Sequence, residues 1–149
     1  MSELFLPVLP CLCGSFRRTS RALTQFYEDA LRPYSLRATQ HTILQALSRT
    51  GEVPQRKLGE MLAMDSTSLT RTLRIMRREG WVLERPGKDR RERLLRLSEG
   101  GDKELKRVLP AWEKVQTGLR RQLGEQTWNQ LFQLTHEVTR VVTNQGGTA

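Results

Sequence analysis

The residues best suited to chemistry lie between Asp65 and Ser98, where hydroxyl side chains give way to a dense run of arginines. From Arg71 to Arg96, ten basic residues stand against four acidic ones, a net charge of +6 in 26 residues. The whole 149-residue chain carries +9, so most of its excess charge lies in this one segment. An ordinary solvated surface rarely concentrates charge in this way, and the pattern indicates a polyanionic partner, most commonly nucleic acid.

The order of residues within this segment predicts a helix. Asp65 is a good N-cap and Gly80 a good stop, and Leu69, Leu73 and Met76 repeat at the spacing of one buried helix face. The outward face then carries hydroxyls and cations: Thr67, Thr70, Arg71, Arg74 and Arg78. A helix with this polar face suits the major groove of duplex DNA.

A basic β-hairpin is predicted directly after this helix. Residues 81–85 and 93–97 alternate as strands, with Leu95 and Leu97 facing the core, and residues 86–89 have the composition of a turn. An arginine-tipped loop of this kind can lie in the minor groove beside the helix. Helix and hairpin together predict a winged helix-turn-helix.

Periodic apolar residues predict five further helices around this segment. In chain order they run from Leu12 to near Pro33, from Thr39 to Leu47, from Pro54 for a short distance, and as two helices beyond about Asp102. In the short helix we expect Leu58, Met61 and Leu62 to be buried, and Pro110 should kink the next helix or mark an irregular turn. The predicted fold class is therefore α+β, mostly α, with about six helices and a β-hairpin wing.

The terminal helices are more apolar than a monomer needs. We therefore expect residues 1–36 and 101–149 to form a helical dimerisation region around a DNA-binding domain of residues 37–100. A two-fold dimer would place two recognition helices about 34 Å apart, as a pseudo-palindromic operator in double-stranded DNA requires.

Three observations bear on the compartment. No run reaches the roughly 18 apolar residues of a membrane-spanning helix. The apolar stretch 4–13 has no basic residue before it and is broken by Pro7 and Pro10, so it is a poor signal peptide. Two cysteines spaced C-x-C do not form a disulfide framework. We expect a cytoplasmic protein with no membrane partner.

Three motifs resemble those of the MarR family of transcriptional regulators. Residues 36–47 (LxxxQxxILxxL) resemble its second helix, and residues 65–73 (DxTSLTRxL) with 80–82 (GWV) resemble its recognition helix and exit. Residues 89–101 (DRRxxxxxLSxxG) resemble its wing, with Ser98 where threonine is more usual. The resemblance runs from about Cys11 to Val142.

The resemblance implies an α+β winged helix and an obligate homodimer, with repression or activation released by a small ligand or by thiol oxidation. It places Thr67 and Arg71 at base edges, Arg91 in the minor groove, and Asp89 as the carboxylate that orients that arginine. The residues expected to contact DNA are Ser66, Thr67, Ser68, Thr70, Arg71, Arg74, Arg78, Asp89, Arg90 and Arg91. Ser66 and Ser68 have a second interpretation, because hydroxyls in a first helical turn also cap backbone amides.

The resemblance also implies an effector pocket between the dimerisation helices and the DNA-binding domain. Its candidate walls are Arg17, Arg21, Tyr34, His41 and Trp112. The expected effector is a small aromatic or phenolic molecule, and an aromatic carboxylate would need such an apolar slot with one cation. Each residue also has an ordinary structural interpretation, as a core aromatic, a capped loop tyrosine or a surface arginine.

Cys11 and Cys13 allow a redox alternative. Arg17, Arg18 and Arg21 lie nearby and would favour a reactive thiolate, whereas cysteine is also often a small buried apolar residue. With only two histidines in the chain, we expect no metal site, and we expect no cofactor.

Two further function classes are contrasted with a sequence-specific regulator. An enzyme would need one of these cysteines paired with His41 or His136, and neither that spacing nor a phosphate-binding loop is evident, so no enzymatic activity is expected. A sequence-indifferent DNA-binding protein would need the basic charge without the hydroxyl and Arg71 pattern.

Overall fold

The structure is a computed structural model that describes residues 10–145. Residues 4–9, which form most of the stretch considered as a signal peptide, lie outside the described residues. Within the described range, no helix is both long enough and apolar enough to cross a bilayer.

Residues 10–145 form six α-helices and a three-stranded antiparallel sheet of order β1-β3-β2. In chain order these are α1 (Leu12–Leu31), a single 3-10 turn (Arg32–Tyr34), α2 (Ala38–Thr50), β1 (Val53–Pro54), α3 (Gln55–Leu62), α4 (Ser66–Arg78), β2 (Val82–Pro86), β3 (Arg93–Leu97), α5 (Glu99–Leu123) and α6 (Glu125–Gln145). The predicted fold class, a mostly helical winged helix, is confirmed.

The core lies where α2, α3 and α4 pack against the sheet. Its fully buried side chains include Ile43, Leu44, Leu47, Leu58, Leu69, Leu73, Met76 and Leu95. Among them are the inward residues predicted for α4, Leu69, Leu73 and Met76, together with Leu58 and Leu95, and Leu97 packs half-buried against the same cluster. Each such side chain contributes roughly 1.5–3 kcal/mol by leaving water, so the core holds α4 rigidly while its polar face stays exposed.

The prediction for Met61 was wrong, because its side chain is 48% exposed. In α3 the buried residues are Leu58 and Gly59, with Leu62 half-buried beside them. At 100° per residue, Leu58, Leu62 and Gly59 span an arc of about 100°, and Met61 lies about 60° outside it. An ideal Cβ on Gly59 would lie 3.3 Å from Leu69 Cδ2, so α3 turns this glycine, and not Met61, towards α4.

The hairpin turn lies later than predicted. Pro86 is the last residue of β2 and pairs with Arg93, and the chain reverses over residues 87–92 instead of 86–89. The Gly87 amide donates to the Glu92 carbonyl at 2.9 Å, and the Glu92 amide donates to the Asp89 carbonyl at 2.9 Å. Proline is tolerated in β2 because this is an edge strand.

The two-residue strand β1 was not predicted. Val53 pairs with Leu95, and Pro54 with Leu94, so the sheet has three strands where the sequence suggested a hairpin alone. Two residues are too few to show alternation. This pairing fixes the start of α3 relative to the wing, because α3 begins at the next residue, Gln55.

Helix α5 begins at Glu99, three residues before the predicted start, and continues without a break through Pro110. Ser98 caps it: its Oγ accepts a hydrogen bond from the Gly101 amide at 2.9 Å and donates one to the Gly80 carbonyl. The cap therefore ties the start of α5 to the residue that ends the recognition helix.

Packing divides the chain into two compact units, one up to Trp112 and one from Glu113 onward. In the second unit, α5 and α6 are joined at Gly124, whose φ of 80° suits glycine. Arg120 donates to both oxygens of Glu125 across this joint, at 2.6 Å each. The functional division at residues 36/37 and 100/101 stays a prediction.

Candidate nucleic-acid interface

The recognition helix α4 begins as its sequence predicts. The Asp65 carboxylate accepts a hydrogen bond from the Ser68 amide at 2.8 Å. This backbone contact holds the pKa of Asp65 below its usual range, so the cap is ionised at neutral pH, where a negative charge also suits a helix N-terminus. The Ser68 amide therefore takes part in capping.

Five of the predicted DNA-contact residues line one open groove of about 390 Å³ on the outer face of α4. They are Ser66, Thr67, Thr70, Arg71 and Arg74. Two other predicted residues of this helix, Ser68 and Arg78, are exposed but do not line it. Arg78 lies one turn beyond Arg74 on the same exposed face. The groove thus combines hydroxyls that donate or accept with cations, a mixture suited to base edges and phosphates.

Eight of the nine arginines between Arg71 and Arg96 fall into two groups. Arg77 pairs with Glu84 of β2, Arg93 lies 3.7 Å from the same carboxylate, and Arg85 pairs with Glu52, its Nε donating at 2.8 Å. Within residues 10–145, the arginines predicted to contact DNA have no acidic partner at ion-pair distance: Arg71, Arg74, Arg78, Arg90 and Arg91. The fold therefore neutralises the cations that support the wing and leaves the outer ones available to an external anion.

The wing tip places three predicted residues in solvent, namely Asp89, Arg90 and Arg91. The Asp89 carboxylate accepts a hydrogen bond from the Arg91 backbone amide at 3.0 Å, the pattern of an aspartate-stabilised turn. Asp89 therefore orders the loop backbone that carries Arg91, and its contact is with that amide, not with the guanidinium.

Gln55 is one interface residue that the sequence did not indicate. Its side-chain Nε2 donates to Thr70 Oγ1 at 3.0 Å, so the first residue of α3 contacts a side chain of the groove. The two residues are 15 positions apart, and no local pattern relates them.

The predicted effector-pocket residues are only partly brought together. His41 and Trp112 have ring centroids 5.9 Å apart, and burial lowers the pKa of His41, so its imidazole is neutral near pH 7. Arg17 and Arg21 are exposed on α1, and in the described part of the chain no hydrogen bond, ion pair or ring contact joins them to the other three residues.

Tyr34 has a cationic neighbour that the sequence did not indicate. The Arg107 guanidinium lies 5.0 Å from the centre of the Tyr34 ring, and its Nη2 donates to the Tyr34 carbonyl at 2.8 Å. Arg107 also donates to both oxygens of the buried Glu104. The cation beside this aromatic group is thus already paired with a carboxylate.

Cys11 and Cys13 are both exposed free thiols at the start of α1. Cys11 occupies the N-cap position and Cys13 the first turn. Neither cysteine is therefore a small buried residue within a single chain.

Comparison with known proteins agrees with this geometry. A profile of the MarR family matches residues 36–92. The regulator SarZ of Staphylococcus epidermidis is 31% identical over 99 residues, 66% of each chain. The transcriptional regulator MosR of M. tuberculosis, solved in complex with DNA, is 30% identical with a TM-score of 0.80, covering 90% of this chain and 97% of that one. A mutant of MarR from E. coli, complexed with operator DNA, has a similar fold, with a TM-score of 0.76 at 23% identity over 92% and 99% of the two chains.

Proposed function

The chain belongs to the MarR family of transcriptional regulators, and on this premise we propose that it is a homodimeric repressor that reads a pseudo-palindromic DNA site and is released by a small ligand. Its relatives are named as regulators, which confirms the prediction that it is not an enzyme. We further propose that it acts in the cytoplasm.

The observation that carries this proposal is that, within residues 10–145, the outer arginines of α4 and of the wing have no acidic partner, while hydroxyls and two of these arginines line the groove on α4. Arg71 and Thr67, on the outer face of α4, would read base edges in the major groove. Arg91, on a loop ordered by Asp89, would enter the adjacent minor groove. Arg74, Arg78 and Arg90 would position the protein on phosphates. Arg77 and Arg85 nearby are held in ion pairs with Glu84 and Glu52. The fold therefore pairs some arginines of this segment and leaves others exposed, which supports a role for the exposed ones in binding DNA.

The proposed dimer rests on apolar side chains exposed on the terminal helices. Helix α1 exposes Leu12, Phe16, Leu23 and Phe26, and α6 exposes Leu131, Phe132, Leu134, Val141 and Val142. Exposed apolar residues in such numbers are typical of an interaction surface. A two-fold dimer would cover them and present two recognition helices to a site of roughly 16–20 base pairs.

Release by ligand would act through this geometry. A small aromatic or phenolic effector in a pocket walled by Arg17, Arg21, Tyr34, His41 and Trp112 would change the separation of the two DNA-binding domains. The two recognition helices must match the spacing of the two DNA half-sites, so a change in their separation would weaken binding to both half-sites at once.

Selection of bound sequences from a random duplex pool tests the DNA-reading function. We expect a motif with two-fold symmetry. A flat profile would contradict sequence reading and would favour a sequence-indifferent DNA-binding protein.

Replacing Arg71 with alanine should weaken binding to the selected site by about 1–3 kcal/mol and relax the preference at one base pair of each half-site. The reason is that an arginine at a base edge donates two hydrogen bonds that random DNA does not satisfy. Titration of specific and random duplexes at fixed salt concentration measures both effects.

Arg78→Ala is the matched control, because a phosphate contact is lost equally on any sequence. It should weaken both duplexes alike and reduce the salt dependence of binding. An equal loss on both duplexes for Arg71→Ala would show that Arg71 contacts phosphate only.

A redox-sensing regulator is the second candidate, favoured by the exposure of both thiols. If oxidation of one of them triggers release, peroxide should dissociate the wild-type protein from DNA but leave the Cys11→Ser or the Cys13→Ser variant bound. Gel-shift titration before and after peroxide treatment, with reductant added back, measures this. Full release of both single variants and of the double variant would exclude the two cysteines as sensors.

A further inference from the structure

We propose that Gln55 sets the direction of the hydrogen bond that Thr70 makes with DNA, and so helps to determine which base the recognition helix prefers. The inference rests on the proposed function, because it assigns a specificity role within the same DNA-reading surface. Gln55 acts through Thr70 and is a positioning residue.

The contact joins two rigid elements. Gln55 is the first residue of α3, and its Nε2 donates to Thr70 Oγ1 at 3.0 Å. The start of α3 is fixed by β1, in which Pro54 pairs with Leu94 of β3. Thr70 is held by α4, whose inner face is buried. The amide therefore meets the hydroxyl in a geometry determined by the fold.

The direction of this bond restricts what Thr70 can do. A threonine hydroxyl has one proton and two lone pairs. The Gln55 amide occupies one lone pair, so one lone pair and the proton remain, and accepting this bond polarises the O–H group and favours donation. Thr72, two residues later, donates its hydroxyl proton to the Ser68 carbonyl at 2.9 Å. Within the described residues, the Thr70 hydroxyl donates to no backbone carbonyl. Since Thr70 lines the open groove, its proton can be directed to DNA.

A hydroxyl that donates favours bases that accept. In the major groove the acceptors are purine N7, guanine O6 and thymine O4, whereas the amino groups of adenine and cytosine donate. We therefore expect the base facing Thr70 to be selected for its acceptor. One neutral hydrogen bond of this kind should give a preference of about threefold to tenfold.

Substitution of Gln55 by glutamate should reverse this preference. A carboxylate only accepts, so it would take the Thr70 proton and leave the Thr70 oxygen to accept from an amino group. Gln55→Ala should instead leave the hydroxyl free to act either way and reduce the preference towards onefold. The added charge of Gln55→Glu weakens binding to every sequence, so the informative quantity is the ratio of affinities between base variants.

The experiment measures binding of the full-length protein to its selected site with each of the four base pairs at every motif position. Wild type, Gln55→Ala and Gln55→Glu are compared, and each substitution is repeated in a Thr70→Val background as the matched control. We expect the preference at one position per half-site to fall with alanine and to reverse with glutamate. In the Thr70→Val background, neither substitution should change any ratio, because the hydroxyl is absent.

Two outcomes would overturn the inference, and they are distinguishable. A two-fold wild-type motif whose base ratios do not respond to Gln55 would overturn this role alone and leave the proposed function standing. A flat wild-type profile would overturn the DNA-reading function and this role with it. Far-ultraviolet circular dichroism of each variant establishes that the fold is retained.

Discussion

Replacing Gly101 with alanine is expected to lower the free energy of unfolding by about 2–3 kcal/mol, the upper part of the range for overpacking. A Cβ at this position would overlap the Trp81 carbonyl oxygen and would lie 2.7 Å from Leu97 Cδ1. The carbonyl cannot simply move away, because it accepts a hydrogen bond from the Ser98 amide at 3.0 Å. Either α5 must shift from the wing or the hydrogen bonds at its start must break.

Gly118 offers a matched control in the same helix. Among the described residues, a Cβ built there meets no atom within 4 Å other than its chain neighbours and the backbone of its own helix, and alanine is favoured over glycine in a helix by up to about 1 kcal/mol. Gly118→Ala should therefore stabilise the protein slightly, whereas Gly101→Ala destabilises it. Urea unfolding of the two variants and the wild type measures both signs, and stabilisation by Gly101→Ala would show that the junction between wing and α5 relaxes freely.

The recognition helix was predictable because all its determinants are local. Asp65 as cap and the stripe Leu69, Leu73 and Met76 lie within a dozen residues and follow the helical period. Once that stripe is buried, the outward direction of Arg71 follows from geometry alone. The wing strands were predictable for the same reason, since alternation over five residues defines which face is buried.

Three of the missed features depend on partners distant in sequence. The two residues of β1 become a strand only because β3 lies beside them, and Met61 is exposed because α3 turns Gly59 towards α4. The hydrogen bond from Gln55 to Thr70 likewise needs α3 and α4 to be packed. None of these contacts produces a periodic pattern of residues in the sequence.

The sequence also could not predict which arginines lack an acidic partner among the described residues. Arg77 and Arg78 are neighbours with the same chemistry, yet Arg77 turns towards Glu84 of β2 and Arg78 towards solvent. Arg85 is paired with Glu52, 33 positions away. Charge density located the interface, but only the packed fold separates the cations that hold the wing from those left for a partner.

The second large effect is expected from Phe132→Glu, which should convert the proposed dimer to a monomer and weaken binding to a two-fold DNA site by about 10²- to 10⁴-fold. Phe132 is 59% exposed on α6, and a charge at this position could not be buried against a second copy without a partner. Sedimentation or light scattering measures the mass, and titration of the selected duplex measures the affinity.

A half-site duplex separates loss of pairing from damage to the DNA-binding surface. Because Phe132 lies outside the unit that contains α4 and the wing, the monomeric variant should bind a single half-site about as well as one subunit of the wild type does. Met61→Glu controls for the added charge: Met61 is exposed on α3, and its variant should keep the wild-type mass.

A wild-type protein that is monomeric at micromolar concentration, or a Phe132→Glu variant that still dimerises, would contradict the role of α6. A monomeric variant with undiminished affinity for the two-fold site would instead show that each subunit reads DNA alone, and the spacing of two matched helices would then have no part in recognition.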